Sequence, residues 1–311
     1  IEAVEHIRAA IDLNPKNTTA LHFLATTLIR QGGNDAIAEA TKVLEAWQAL
    51  EPDNAEQSYL MGATLLVTND VTRAIPHLTK AAEKSPELAA ATLARAFVAN
   101  GNFTDGEPWF IAALKNGLDK NLMAEHGQCL RELGRLRESK DAFLGVLEID
   151  SDFAPGHLGL GNILQAEYRH EEALIAFDAA LEVDPRDLPT LANKAMSLQC
   201  LGQNQEALAL YERAAETNPS SPEIQFSIGA LLQAIGRFEE AKTAFQKALD
   251  LRPGYPQVIP LLIHILLKLC DWTDLEALTA ELEANTREEL ARGIKISSAL
   301  FSLTSLPFEL Q

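Results

Sequence analysis

Cysteine is scarce in this 311-residue chain. Cys129, Cys200 and Cys270 stand far apart, with no CxxC pair and no Cys/His cluster. That excludes a disulfide framework and points to reduced thiols in a cytoplasmic setting. Long apolar runs are also missing. The longest, Val258 to Cys270, is broken by Pro260, His264 and Lys268 and is too short to span a bilayer, so no membrane association is expected. Positive charge is the minority sign: 26 Lys and Arg against 44 Asp and Glu, a formal charge of −18 that repels phosphate backbones and argues against nucleic acid as a partner. No charged-then-apolar leader opens the chain, so no signal peptide is expected. Residue 1 is Ile, so a natural start upstream is expected.

The signatures of chemistry are missing as well. There is no GxSxG, no P-loop and no Cys/His nucleophile pattern. The seven histidines are scattered, without HExxH or paired spacing, so no metal is expected. Gly156, Gly159 and Gly161 imitate part of a nucleotide loop, but they follow no strand and lack the third glycine. The chain itself is read as non-catalytic and without a cofactor.

What is present is a period. Pro185, Pro219 and Pro253 are evenly spaced and close the similar strings ALEVDP, AAETNP and ALDLRP. Twelve positions before them stand Ala173, Ala207 and Ala241; eight before, Phe177, Tyr211 and Phe245; five before, Ala180, Ala214 and Ala248. Small residues recur further upstream at the same interval, at Gly161, Ala195 and Gly229. Each period reads as two antiparallel amphipathic helices. The small residues mark the close crossing, the aromatic fills the wedge beside it, and the proline ends the second helix. No such unit can bury its apolar face alone, so stacking must supply the core.

The pattern and its period, about 34 residues, resemble the tetratricopeptide repeat. The resemblance implies an all-α solenoid of helix-turn-helix units wound as a right-handed superhelix. The register extends outward with defects. Ser151 replaces a proline, Pro52 lies three positions too far from Pro15, and Pro86 to Ser151 falls three short of two periods. The Gly32-Gly33-Asn34 turn is expected to hold the extra three, and Gly106 and Pro108 to weaken one second helix. Residues 1–17 read as the second helix of a cut repeat, 18–255 as seven repeats, and 256–311 as a degenerate capping repeat with C-terminal helices over 273–284 and 286–296. Trp47, Trp109 and Trp272 read as core or wedge residues.

A string at the end of the array, Cys270-Asp271-Trp272-Thr273-Asp274, looks like the junction between repeats and catalytic half in O-linked N-acetylglucosamine transferases of the SPINDLY type. Bacterial relatives also carry a later Pro-Phe segment similar to Ser305 to Gln311. That resemblance implies the substrate-recognition arm of a larger UDP-sugar-dependent protein glycosyltransferase, with no catalytic residue in this chain. Those enzymes line their groove with asparagines two positions before the small residue of the first helix. Here these positions hold Phe23, Leu60, Thr92, Glu125, Gly159, Asn193 and Ser227, and Asn193 alone matches.

In this repeat family the first helix of each unit lines a concave groove. Arg131, Gln165, Gln199 and Gln233 recur once per repeat, and Gln128 and Asn162 precede the first two by three, on the same helix face. Amides donate and accept, so they can grip a peptide backbone without reading its sequence. Together with Asn193 these residues predict an amide-lined groove over 120–235 that holds a protein or extended peptide. A structural scaffold that assembles through stacked ends is the third reading of the same array.

Overall fold

The structure, a computed structural model, describes residues 2–115, 117 and 119–292, and these form seventeen helices with no strand. It divides into two compact units, Ile1–Ser151 and Asp152–Gln311. In the first unit, α1 (Glu2–Leu13) precedes four helix pairs: α2 (Thr18–Gln31) with α3 (Asn34–Leu50), α4 (Ala55–Val67) with α5 (Val71–Lys84), α6 (Pro86–Ala99) with α7 (Phe103–Leu114), and α8 (Lys120–Glu132) with α9 (Leu136–Ile149). The second unit pairs α10 (Ala154–Ala166) with α11 (His170–Val183), α12 (Leu188–Cys200) with α13 (Asn204–Thr217), α14 (Pro222–Ala234) with α15 (Phe238–Leu251), and α16 (Val258–Leu269) with α17 (Leu275–Ala291).

The helix starts are set by side chains that satisfy otherwise orphaned backbone N–H groups. Asn17, Asn54, Asp70, Asp119, Asp187 and Ser221 each accept from an amide two or three positions on. Pro155, Pro189 and Pro222 occupy first-turn positions, where their missing N–H costs nothing.

The core follows the small–aromatic register. A Cβ added at Gly161 would lie 2.6 Å from Phe177 Cδ1, and one at Gly229 would lie 2.7 Å from the Phe245 ring. Phe177, Phe245, Phe143 and Phe110 are buried, each at the crossing of its own pair. The glycines therefore stand where no side chain fits. In the first unit Gly62 admits Leu78 in the same way.

One register defect falls elsewhere than expected. The three extra residues of the first full pair are not in the Gly32-Gly33 turn, which is a mere dipeptide. They lengthen α3 to 17 residues, against 14 in α5. Both glycines have positive φ, which turns the chain tightly, and the Ala-rich run after them contains no helix breaker. The deficit after Pro86 lies inside the expected interval, mostly at its start. Gly62 to Ala94 is two positions short of a period and Ala94 to Gly127 is one short, because α5 and α6 are joined through Ser85 alone and Pro86 opens α6. Gly106 does not weaken α7. It is buried at the α6–α7 crossing, where an added Cβ would meet Ala94 O at 3.2 Å. The two C-terminal helices expected after residue 273 are one continuous α17, and residues 293–296 lie outside the described residues.

Gly134, Gly202 and Gly236 occupy the same turn position with φ between 74° and 80°, and Tyr168 occupies it with φ 60°. A side chain in the left-handed region is strained. Tyr168→Gly is expected to raise stability by about 1 kcal/mol, seen as a higher urea midpoint at constant slope. A lower midpoint would mean that the edge contact of Tyr168 with His170 outweighs the strain.

Candidate functional site

On α10, α12 and α14, positions i, i+4 and i+7 form one stripe along each helix. The stripes are Leu158, Asn162 and Gln165; Ala192, Met196 and Gln199; and Phe226, Ala230 and Gln233. Asn162, Gln165, Met196, Gln199 and Gln233 are at least partly exposed, whereas Leu158, Ala192, Phe226 and Ala230 pack, partly buried, against the second-unit core. α10 touches α12, and α14 touches α16.

The amides are not equivalent. Gln165 Nε2 donates to the backbone oxygen of Asn193 at 3.0 Å and to Ser197 Oγ at 2.9 Å. Asn193 Nδ2 donates to Asn162 Oδ1 at 2.8 Å. Three of the expected groove residues are thus brought together, and their donors cross-link α10 to α12. Gln199 and Gln233 are half-buried and make no side-chain hydrogen bond among the described residues. Met196, between them and the locked amides, is 43% exposed. Sequence reasoning passed over Met196, although it stands one repeat after Asn162.

Gln128 and Arg131 belong to the first unit. Both turn to one carboxylate on their own helix: Gln128 Nε2 donates to Glu132 Oε1 at 3.4 Å, and Arg131 donates to the same oxygen at 2.6 Å. Near them, His126 stacks on Phe110, and its Nε2 is buried without a hydrogen-bond partner among the described residues. Burial pushes its pKa down, as does Arg135, while Glu107 and Glu138 oppose that shift. The thiol of Cys129 points to Phe103 O at 3.5 Å, and burial pushes its pKa up, so it is an inert core thiol.

The CDWTD string is the loop between α16 and α17. Cys270 and Asp274 have positive φ, Asp271 pairs with Lys242 of α15, and Asp271 Oδ1 accepts from the Thr273 amide at 3.0 Å. Lys242 and the Thr273 hydroxyl and amide hold the Asp271 carboxyl well below the usual carboxylate range. Trp47 is buried and donates to Glu51 Oε2 at 3.0 Å, and Trp109 packs against the first-unit core. Trp272, read as core, is instead 60% exposed, because the tight loop turns it away from α16. The segment from Ser305 to Gln311 lies outside the described residues. Among the described residues no His, Cys, Asp or Glu group could hold a metal, and no helix is long and apolar enough to cross a membrane.

Comparison with known proteins decides the repeat type. Residues 91–152 and 187–254 each match the tetratricopeptide repeat family. The chain carries tetratricopeptide repeats. Similar solved structures are likewise tetratricopeptide proteins. One, from Parabacteroides merdae, is 16% identical, with 80% of this chain and 98% of that chain covered and a TM-score of 0.67. A thermophilic tetratricopeptide protein of Thermus thermophilus is 22% identical, over 57% of this chain and 97% of that one, at 0.51. A chain of the APC/C hetero-tetramer Cut9-Hcn1 is 15% identical, over 86% and 52%, at 0.62. These likenesses establish the fold, an all-α tetratricopeptide solenoid. Comparison with curated protein sequences gives no match. A tetratricopeptide array of this kind is a protein-binding module and scaffold.

Proposed function

We propose that the second unit binds an extended polypeptide along the stripes of α10, α12 and α14. The observation that carries this reading is the division of labour among the amides. Gln165, Asn193 and Asn162 hold neighbouring first helices in register. Gln199 and Gln233 keep their donors and acceptors unengaged by other side chains, one repeat apart on the same face. Fixed spacing with unspent hydrogen-bonding groups suits a peptide backbone, which offers one donor and one acceptor per residue. Such a backbone clamp is tolerant of sequence, so the exposed apolar residue between the amides, Met196, would supply selectivity.

The test is a peptide selected from a random library on the intact chain, then measured against the variant Gln199→Ala/Gln233→Ala. Each lost hydrogen bond is worth about 1 kcal/mol, so binding should weaken by roughly 10-fold or more with helicity unchanged. Unaltered affinity would sink this face as the site. Gln165→Ala should act differently, because it frees Ser197 and loosens α10 from α12. Its expected signature is a loss of stability together with weaker binding.

A glycosyltransferase arm is not the favoured reading. The Lys242–Asp271 pair and the Thr273 amide explain Asp271 as a loop-forming residue.

A further inference from the structure

The charge of the second unit is segregated by helix. α10, α12 and α14 are of equal length, and their only Lys, Arg, Asp or Glu side chains are Lys194 and Glu223. Both are engaged away from the stripes. Lys194 pairs with Asp178 of α11, and Glu223 pairs with Arg252 and accepts from Ser221 Oγ at 3.0 Å. The acidic residues instead crowd α11 (Glu171, Glu172, Asp178, Glu182) and α13 (Glu206, Glu212, Glu216). In a chain of formal charge −18, the stripe residues carry no charge at all.

Resting on the binding face proposed above, we infer that its occupant is an uncharged polypeptide segment, apolar side chains alternating with small neutral polar ones. The argument is one of desolvation. A Lys, Arg, Asp or Glu side chain pressed onto these stripes would lose hydration and meet no counter-charge. A free C-terminal carboxylate would fare no better, since Lys194 is already paired. A neutral segment loses little on leaving water. Its backbone can exchange hydrogen bonds with Gln199 and Gln233, and an apolar side chain can cover Met196. The acidic second helices attract basic molecules at long range, but that pull fades within about 8 Å at physiological ionic strength.

The experiment is an unbiased 12-residue peptide selection on the full chain. The dissociation constant of the best peptide is then measured by calorimetry in 50 and 500 mM NaCl, on wild type, Met196→Gln and Met196→Glu. Peptides depleted in charged residues, a change under twofold with salt, and a tenfold loss in Met196→Glu that exceeds the loss in Met196→Gln support the inference. Peptides rich in Lys and Arg, or in Asp and Glu, that weaken tenfold or more at high salt yet still respond to Met196→Glu overturn it and leave the binding face standing. Peptides indifferent to both Met196 variants, or no selected peptide at all, overturn the face itself. Met196 is surface-exposed, and equal thermal midpoints of the two variants separate lost binding from lost folding.

Discussion

Phe177→Ala is expected to destabilise the second unit by about 3–5 kcal/mol, the range for deleting a fully buried aromatic side chain. Phe177 is 0% exposed and seated on Gly161 of α10, so its removal leaves a cavity that neither helix can close. The Phe177 ring itself fills the space over Gly161. Urea unfolding and hydrogen exchange of the α10 and α11 amides would read the loss. Ile175→Ala, two positions earlier on the exposed side of α11, should change stability by less than about 0.5 kcal/mol. A Phe177→Ala value close to that of Ile175→Ala would show that the α10–α11 crossing is not tightly packed.

Gly161→Val attacks the same crossing from the other side, with an expected cost of about 3 kcal/mol. Helix propensity slightly favours valine over glycine, so it cannot account for a loss. Steric conflict must, because the first side-chain atom would already lie 2.6 Å from Phe177 Cδ1 in a ring with no room to retreat. The double variant Gly161→Val/Phe177→Ala makes the diagnosis specific. With the ring gone, valine partly fills its space, and the two losses should fall short of additivity by at least about 1 kcal/mol. Full additivity would mean that the two positions do not oppose each other.

Both predictions were readable in the spacing. Gly161 precedes Phe177 by the same interval as Gly229 precedes Phe245 and Gly127 precedes Phe143. Position within a helix pair is a local property. It depends on helix pitch, turn length and side-chain volume, all of which a linear pattern carries. The misplaced surplus shows the boundary of that reading. Counting from Pro52 locates a surplus between two register marks, but a longer α3 and a longer turn give the same count. Tertiary packing chose the helix, since an extra turn of helix keeps every backbone group hydrogen-bonded.

The candidate site divides along the same line. Periodicity put Gln165, Gln199 and Gln233 on one face, and no pattern within a repeat distinguishes them. Their partners lie in the next repeat. Ser197 accepts the amide of Gln165, whereas the matching place beyond Gln199 holds Leu231, buried and unable to accept. Asn193 likewise spends its amide on Asn162 across the α10–α12 contact. The sequence by itself determined the repeat, its crossings and the faces its helices expose, because these arise from contacts within one pair. Which amides join neighbouring helices and which make no side-chain hydrogen bond was decided only by the tertiary structure, because a side chain commits its hydrogen bonds to whatever the neighbouring helix places within about 3 Å.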